Sequence, residues 1–292
     1  MARCSGANGN GGSRMMVLAA LAAACLFGHA GAAPPQRIVS INICGDLLAL
    51  SLAPRARIAS VTFLAADPIM SPIADRATGI TKNYGRAEEV LALNPDLVLA
   101  GRYTARATVN LLERLGYEVV EFDIAESLDD ARAQIRTAAA AMGVPEAGEE
   151  MIATLDARIE TTLSGQGGER PLAVVYGPNG FTLGPRSLSG SLVEIAGFEN
   201  LAERAGIVRV GQLPLEQLLL AKPDVLLVET ESLHAPSMAT QILSHPALGD
   251  LRDRITVVEI PRPLWSCPGP WMADALDHLA AARAAVRART SP

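Results

Sequence analysis

Short apolar runs alternate with stretches of helical periodicity along most of the chain. In the first half, runs that are short enough for strands cover Arg37–Asn42, Arg57–Thr62, Asp96–Ala100 and Glu118–Phe122. The segments between them predict helices at Gly45–Leu52, Arg86–Leu93 and Ala105–Leu115. Leu97–Ala100 is apolar at every position, which favours a strand buried on both faces of a parallel sheet.

The second half repeats this alternation. The predicted strands are Leu172–Tyr176, Asp224–Glu229 and Ile255–Ile260. The predicted helices are Ser191–Ala196, Leu215–Leu220, Met238–Leu243 and Trp271–Arg287. Strands that alternate with helices indicate an α/β fold in which helices cover both faces of parallel sheets.

An internal repeat divides the chain. Residues 87–99 match residues 215–227 without a gap, and each copy predicts a short helix, a Pro-Asp turn and an apolar strand. Residues 119–122 also match residues 257–260. A unit this long that occurs only twice does not fit a solenoid, so we expect two similar α/β lobes.

A long helical stretch separates the two lobes. Ser127–Met142 is rich in Ala and ends at Gly143, and Pro145 then opens a second helical segment that extends to Leu163. We therefore expect an N-terminal lobe at 34–144, a connecting helix with its exit loop at 145–168, and a C-terminal lobe at 169–292. A stiff helix favours small motions between the lobes; the alternative is a helix packed wholly within one domain.

The N-terminal segment has the features of an export signal. Arg3 and Arg14 precede the apolar run Met15–Phe27, and small residues follow at 30–33. This arrangement predicts a signal peptide over residues 1–33, and the run is short for an uncleaved membrane anchor. A lipid anchor at Cys25 is not expected, because the position three residues earlier holds Ala rather than Leu.

Charge and composition narrow the class of protein. Hydrophobic residues make up 49% of the chain, which is ample for a buried core. The 25 Lys and Arg against 31 Asp and Glu give a net charge of −6, so a nucleic-acid partner is not expected. No run beyond the predicted signal approaches the roughly 20 apolar residues of a membrane span.

No familiar catalytic or metal-binding pattern is visible. His234, His245 and His278 follow the predicted signal, and their spacing does not suit a metal site. The sequence also lacks a Cys-x-x-Cys pair and a Gly-x-Ser-x-Gly nucleophile turn. We therefore predict neither a catalytic residue nor a metal ligand, although an enzyme is not excluded.

Ligands of α/β sheets bind at the carboxyl ends of the strands, and several aromatic and basic residues fall there. The candidate ligand-binding residues are Asn42, Phe63, Tyr84, Arg102, Tyr103, Tyr176, Arg262 and Trp265. Aromatic side chains together with arginines suit a bulky, partly apolar and anionic ligand. We expect Trp265 to be partly exposed, with Arg102 and Tyr103 opposite it. For each residue alone, an ordinary loop or core role is the alternative.

Two cysteines, Cys44 and Cys267, follow the predicted signal. Both come after predicted strands on the ligand side, and an oxidising compartment permits a disulfide between them. We expect this bond at the cleft margin. Two separate buried thiols, or a role as ligands, are the alternatives.

The chain resembles the substrate-binding proteins of ABC importers for iron–siderophores, haem and cobalamin. The motifs that carry the resemblance are Arg37–Ser40, the segment from Glu88 to Val98, and its second copy from Leu215 to Asp224. It extends over roughly residues 36–290. The resemblance implies two Rossmann-like parallel-sheet lobes, joined by one long rigid helix, with a ligand cleft between them. The two cysteines are not a general feature of that family and suggest a subgroup.

The same resemblance implies a function. A monomeric periplasmic receptor would capture a metal chelate and deliver it to an ABC permease dimer in the inner membrane. A ferric siderophore ranks first, followed by cobalamin and by haem, for which a Tyr or His234 would be the axial ligand; no intrinsic cofactor is expected. Glu88 and Glu216 match the two glutamates that pair with permease arginines. The alternative is an exported enzyme or a ligand-sensing domain on the same two-lobed fold.

Overall fold

A computed structural model describes residues 33–164, 167–234, 237–246, 248–249 and 254–290. The strands are β1 Ile38–Ser40, β2 Ile58–Thr62, β3 Thr81–Asn83, β4 Leu97–Gly101, β5 Val119–Phe122, β6 Leu172–Val175, β7 Phe181–Leu183, β8 Glu199–Asn200, β9 Val210–Gln212, β10 Val225–Glu229 and β11 Thr256–Ile260. The helices are α1 Ile43–Leu52, α2 Ala87–Ala92, α3 Arg106–Arg114, α4 Leu128–Ala141, α5 Pro145–Leu163, α6 Leu188–Ile195, α7 Leu201–Arg204, α8 Leu215–Ala221, α9 Thr230–His234 and α10 Met272–Thr290.

Each lobe is built on a parallel sheet. The strand order is β3-β2-β1-β4-β5 in the first lobe and β11-β10-β6-β8 in the second. A third, two-stranded sheet pairs β7 and β9 antiparallel within the second lobe. The structure therefore confirms the predicted α/β class with two parallel-sheet lobes.

The central strands are buried on both faces. Leu97 and Leu99 of β4 pack in one apolar cluster, whereas Val98 and Ala100 pack in another on the opposite face of the sheet. Strand β10 of the second lobe divides its side chains between two clusters in the same way. Because successive side chains of a strand point to opposite faces, burial on both sides requires the continuous apolar runs seen in the sequence.

The repeated segment has the same local structure in both lobes. Helices α2 and α8 are each followed by a residue in the left-handed region, Asn94 with φ 44° and Lys222 with φ 49°. The aspartate of each Pro-Asp turn then accepts backbone hydrogen bonds at the start of a neighbouring strand. Asp96 accepts from the N–H groups of Gln36 and Arg37 at 2.7 Å each, and Asp224 accepts from that of Leu172 at 2.8 Å.

Helices α4 and α5 pack against both lobes. Leu128 of α4 and Leu155 of α5 belong to the apolar cluster that contains Trp271 of the second lobe. Ile135 of α4 and Ile152 of α5 belong instead to a cluster of the first lobe. This shared core supports a stiff connection between the lobes. The domain boundaries within it stay predictions.

Some predicted elements need correction. The predicted helix Met238–Leu243 is wrong, because the chain there forms a turn and then a short 3-10 helix over Gln241–Ser244. Helix α6 begins at Leu188 rather than at Ser191, since the Ser187 hydroxyl accepts a hydrogen bond from the Gly190 N–H and caps the helix earlier. Strands β3, β7, β8 and β9 were not predicted.

Within the described part of the chain, no helix is both long enough and apolar enough to cross a membrane. The predicted signal peptide lies outside the described residues except for Ala33, and Cys25 lies outside them as well.

Candidate ligand-binding cleft

Two adjoining cavities lie where the two lobes meet. The larger has a volume of about 680 Å³ and includes Arg186 and Arg209 of the second lobe in its lining. The smaller, of about 190 Å³, includes Ser266 and Pro268 of the second lobe. The residues that line both are Arg102, Tyr103, Phe122, Asp123, Ile124 and Gln134. The larger volume lies within the roughly 300–1,000 Å³ typical of small-molecule sites.

The wall from the first lobe is formed at the end of β4. Arg102 and Tyr103 follow this strand, and the Arg102 N–H donates to the Phe122 carbonyl of β5 at 2.9 Å. The Arg102 guanidinium lies 3.0 Å from the Asp123 carboxylate. Tyr103 is 72% exposed, so its ring is available to a ligand.

Asn42 lines the smaller cavity but is largely engaged in local structure. Its side-chain oxygen caps α1 by accepting hydrogen bonds from the N–H groups of Cys44 at 3.0 Å and Gly45 at 3.3 Å. Its amide nitrogen donates to the Thr104 hydroxyl at 3.1 Å. Asn42 therefore shapes the cavity wall by holding the start of α1 beside the loop after β4.

A disulfide bond joins Cys44 to Cys267, with the two Cα atoms 5.2 Å apart. Cys44 belongs to α1 of the first lobe, and Cys267 precedes α10 of the second lobe. Cys44 also lines the smaller cavity. The bond thus ties the lobes together covalently beside the cleft, where the sequence analysis placed it.

An ionic cluster also crosses between the lobes. The Glu126 carboxylate, just ahead of α4, accepts from the Arg186 guanidinium at 3.1 Å and also pairs with Arg209. Glu126 is largely buried, whereas both arginine side chains are more than half exposed. Neither arginine was singled out from the sequence. Both lie beside strands that had no recognisable pattern, so no sequence signal marked them.

Two predicted ligand-binding residues lie in the core instead. Trp265 is fully buried, so the expectation of a partly exposed Trp265 is wrong. It packs in the cluster that contains Leu192 and Met272, because the segment ahead of α10 folds back onto α6. Tyr176 is also fully buried in the opposite cluster of the second sheet.

The buried hydroxyl of Tyr176 has an altered acidity. Burial, with a smaller contribution from the charge of Glu216, raises the pKa of Tyr176 to about 12. Among the described residues, its hydroxyl has no hydrogen-bond partner. Tyr176 therefore offers neither an exposed ring nor an ionised oxygen to a ligand.

Arg262 lies outside both cavities. Its guanidinium donates to the Glu229 carboxylate at 2.9 Å, and its backbone N–H donates to Glu231 at 3.1 Å. These contacts fasten the segment after β11 to the end of β10. As for His234, the structure places it in α9 but does not describe its side chain.

Phe63 and Tyr84 form an exposed aromatic pair. Phe63 follows β2 and Tyr84 follows β3, so both lie at the edge of the first sheet that also carries Arg102. Their ring centroids are 4.9 Å apart in a stacked arrangement, and the two residues are 46% and 65% exposed. The pair lines neither of the two cavities.

Glu88 and Glu216 occupy equivalent positions. Each is the second residue of its helix, α2 or α8, and each is exposed. Each lobe therefore has an accessible carboxylate at the same place in the repeated helix.

Asp46 is a buried carboxyl group of the first lobe. It lies in the first turn of α1 and accepts hydrogen bonds from the backbone N–H of Thr62 at 3.1 Å and from the Thr62 hydroxyl. Burial raises the pKa of Asp46 to about 7, although hydrogen bonds from Ser40 and Thr62 and the charge of Lys82 oppose the increase. The described residues contain no group of three or more His, Cys, Asp or Glu side chains arranged to hold a metal ion.

Two parallel-sheet lobes with a cleft at their junction define a two-lobed α/β binding protein. Residues 71–252 match the family model described as periplasmic binding protein, and the chain belongs to that family.

Relatives support the same assignment. A cobalamin-binding protein of Halobacterium salinarum is 28% identical over 223 residues, which is 70% of this chain and 57% of the relative. The chain therefore spans little more than half the length of that curated relative.

Solved structures also share the fold. The periplasmic heme-binding protein RhuT from Roseiflexus sp. RS-1 matches with a TM-score of 0.73 and 26% identity, over 86% of this chain and 98% of that one. The periplasmic vitamin B12 binding protein BtuF of Vibrio cholerae matches with a TM-score of 0.66 and 16% identity, over 87% of this chain and 98% of that one. At 16% identity, the second likeness concerns the fold alone.

Proposed function

We propose that this chain is a periplasmic receptor that captures a metal chelate in the cleft and delivers it to an ABC permease of the inner membrane. The observation that carries the proposal is the cavity of about 680 Å³ lined by both lobes in a member of the periplasmic binding protein family. Exposed Tyr103 supplies an apolar face there, and Arg102 supplies charge. The predicted signal peptide would export the protein.

Within this proposal, a metal tetrapyrrole replaces the ferric siderophore as the first-ranked ligand. The relatives are named for cobalamin, heme and vitamin B12. The exposed, stacked rings of Phe63 and Tyr84 support this choice, because aromatic faces suit a large planar ring. They share a sheet edge with Arg102, so they extend the ligand-facing surface of the first lobe.

Titration of the folded protein tests ligand capture. Haemin, cyanocobalamin and a ferric tris-catecholate are added separately, and absorbance spectra and the unfolding temperature are recorded. A ligand that binds only the folded state at 100 times its Kd adds about 2.7 kcal/mol to the free energy of unfolding. Tyr103→Ser should weaken binding, whereas Leu115→Ser, at an exposed apolar position directly after α3 and outside both cavities, should not. If none of the chelates binds, the proposed function fails.

Delivery to the permease is assigned to Glu88 and Glu216. One exposed carboxylate on each lobe suits a partner with two equivalent basic surfaces, and the core shared by the lobes keeps the two carboxylates at a fixed spacing. Glu88→Ala/Glu216→Ala should abolish uptake into vesicles that contain the permease, and each single change should give a partial loss.

Ligand affinity separates docking from capture. The free double variant should bind its chelate as the wild type does, because neither glutamate lines the cavities. Glu113→Ala/Glu203→Ala, which also removes one exposed carboxylate from each lobe, is the matched control and should transport normally. Normal uptake by the Glu88/Glu216 variant would refute docking through these residues.

A further inference from the structure

Both residues that the second lobe contributes to the larger cavity are arginines. Two guanidinium groups, those of Arg186 and Arg209, share the single carboxylate of Glu126. Arg186 contacts one carboxylate oxygen and Arg209 contacts the other. A guanidinium has five N–H donors, so each arginine keeps donors that Glu126 does not use.

The backbone holds the two arginines beside each other. The Arg186 N–H donates to the Val208 carbonyl at 2.8 Å, and the Gly184 N–H donates to the Arg209 carbonyl at 2.7 Å. These bonds close the end of the β7–β9 ribbon. The side chains are 60% and 57% exposed, so the remaining donors are accessible from the cavity that both residues line.

The other acids of the lining have partners of their own. Asp123 pairs with Arg102 at 3.0 Å, and Glu121 pairs with Arg106. Asp130 accepts a hydrogen bond from the Glu126 N–H at 3.0 Å and lies in the first turn of α4, where the helix dipole favours a negative charge. Arg186 and Arg209 therefore stand out as the two cations that share one counter-charge.

We propose that Arg186 and Arg209 form an anion-binding site that selects a metal chelate carrying carboxylates or other anionic oxygen groups. This inference rests on the proposed function and specifies its ligand class. Paired guanidinium groups bind carboxylate oxygens through charge-assisted hydrogen bonds. Glu126 holds the two side chains close together before the ligand arrives, which lowers the cost of ordering them on binding.

An anion held by the two arginines is also linked to the first lobe, because both arginines contact Glu126. Glu126 belongs to the segment ahead of α4, whereas the arginines belong to the β7–β9 ribbon. A ligand held by the arginines while its ring contacts Tyr103 spans the cleft from one lobe to the other. The arginines of the second lobe therefore select the ligand by its charge, and Tyr103 of the first lobe contacts its ring.

The experiment compares chelates that differ in charge. Haemin has two carboxylates, its dimethyl ester has the same ring without them, cyanocobalamin has no free carboxylate, and a ferric tris-catecholate is anionic through its catecholate oxygens. We expect the wild type to bind haemin more tightly than its dimethyl ester, which lacks anionic side groups. It should also bind haemin or the ferric tris-catecholate more tightly than cyanocobalamin, whose only anionic oxygen group is one phosphodiester. That affinity should fall as salt is added, because the exposed charges are screened.

The variants assign this preference to the arginines. Arg186→Gln and Arg209→Gln should each weaken binding of the anionic chelate about tenfold, and the double variant about 100-fold, as expected for charge-assisted hydrogen bonds. Binding of the haemin ester should stay unchanged. Arg204→Gln is the matched control, since Arg204 is a second-lobe arginine of similar exposure that pairs with Glu199 outside the cavity.

The outcomes separate this inference from the proposed function. Tight binding of cyanocobalamin or of the ester, with equal affinity in wild type and double variant, would overturn the anion site and leave the receptor function intact. Loss of haemin and ester binding to the same extent would also overturn it, because the arginines would then act on the fold or the ring. Binding of none of the four chelates would overturn the receptor function, and the anion site with it.

Discussion

The two lobes use equivalent strands in different ways. Strand β3 of the first lobe and β9 of the second both lie just ahead of the repeated helix, α2 or α8. β3 pairs parallel with β2 and completes the first sheet, whereas β9 pairs antiparallel with β7. As a result, the first lobe presents Phe63 and Tyr84 at its strand ends, and the second presents Arg186 and Arg209.

The aromatic residues of the two lobes also differ in their exposure to solvent. Phe63, Tyr84 and Tyr103 of the first lobe are exposed, but Tyr176 and Trp265 of the second are fully buried. All five follow strands, so position along the chain does not distinguish them. The difference lies in what covers each ring: Gly180 lies close to the Tyr176 hydroxyl and Leu213 packs in the same apolar cluster. Trp265 packs among residues of α6 and α10. Exposed aromatic side chains thus lie at the strand ends of the first lobe, whereas the second lobe contributes two arginines to the larger cavity.

The largest expected effect separates a buried aromatic residue from an exposed one. Trp265→Ala should lower the free energy of unfolding by about 3–5 kcal/mol, because it leaves a cavity in the core of the second lobe. Tyr84→Ala should change it by less than about 1 kcal/mol, because Tyr84 is 65% exposed. Urea unfolding measures both. Equal losses would contradict the difference between the lobes.

The second largest effect on stability is expected from removing the disulfide bond. Cys44→Ser/Cys267→Ser should lower the free energy of unfolding by about 2–5 kcal/mol, because the bond closes a loop with a sequence separation of 223 residues. Wild-type protein in reductant should lose the same amount. The double variant should not respond to reductant, and a reductant effect in that variant would show that the wild-type response has another source.

The third expected effect concerns pH and the first lobe alone. Asp46 has its ordinary pKa of 3.8 when unfolded and a pKa of about 7 when folded, so the folded chain holds one more proton between these values. Its contribution to stability is therefore present at low pH and is lost as the pH rises to about 7. The residue of the second lobe at the same place in the corresponding helix, α6, is Ser191, which has no such titration.

Asp46→Asn isolates this contribution. Between pH 4 and pH 7 the wild type should lose roughly 2–4 kcal/mol of unfolding free energy relative to the variant, since the variant carries no charge to bury. Denaturant unfolding at a series of pH values measures the difference. Ser191→Ala serves as the control and should run parallel to the wild type across this range. A constant difference between wild type and Asp46→Asn would refute the elevated pKa.

The smallest expected effect concerns a feature that the lobes share. Asp96→Ala and Asp224→Ala should each lower the free energy of unfolding by about 1 kcal/mol, because each aspartate accepts a backbone hydrogen bond but remains exposed to solvent. The loss should be somewhat larger for Asp96, which accepts two such bonds. An effect in only one lobe would show that the repeat is similar in sequence but not in energetics.

The α/β class and the doubling of the lobe follow from local sequence patterns alone. Continuous apolar runs such as Leu97–Ala100 must be buried on both faces, and a Pro-Asp turn after a short helix ends that helix wherever it occurs. These are local constraints, so they can be read from neighbouring residues. The position of Arg102 and Tyr103 at the sheet edge is predictable for the same reason, because both residues directly follow such a strand.

Which strand ends face the cleft depends on long-range packing that the sequence patterns do not show. Tyr176 and Trp265 had the same sequence signal as Tyr103, yet other segments cover them. Arg186 and Arg209 meet Glu126 through the antiparallel pairing of two three-residue strands. Such pairing depends on contacts between segments distant in sequence, and no periodicity within a strand this short encodes its partner.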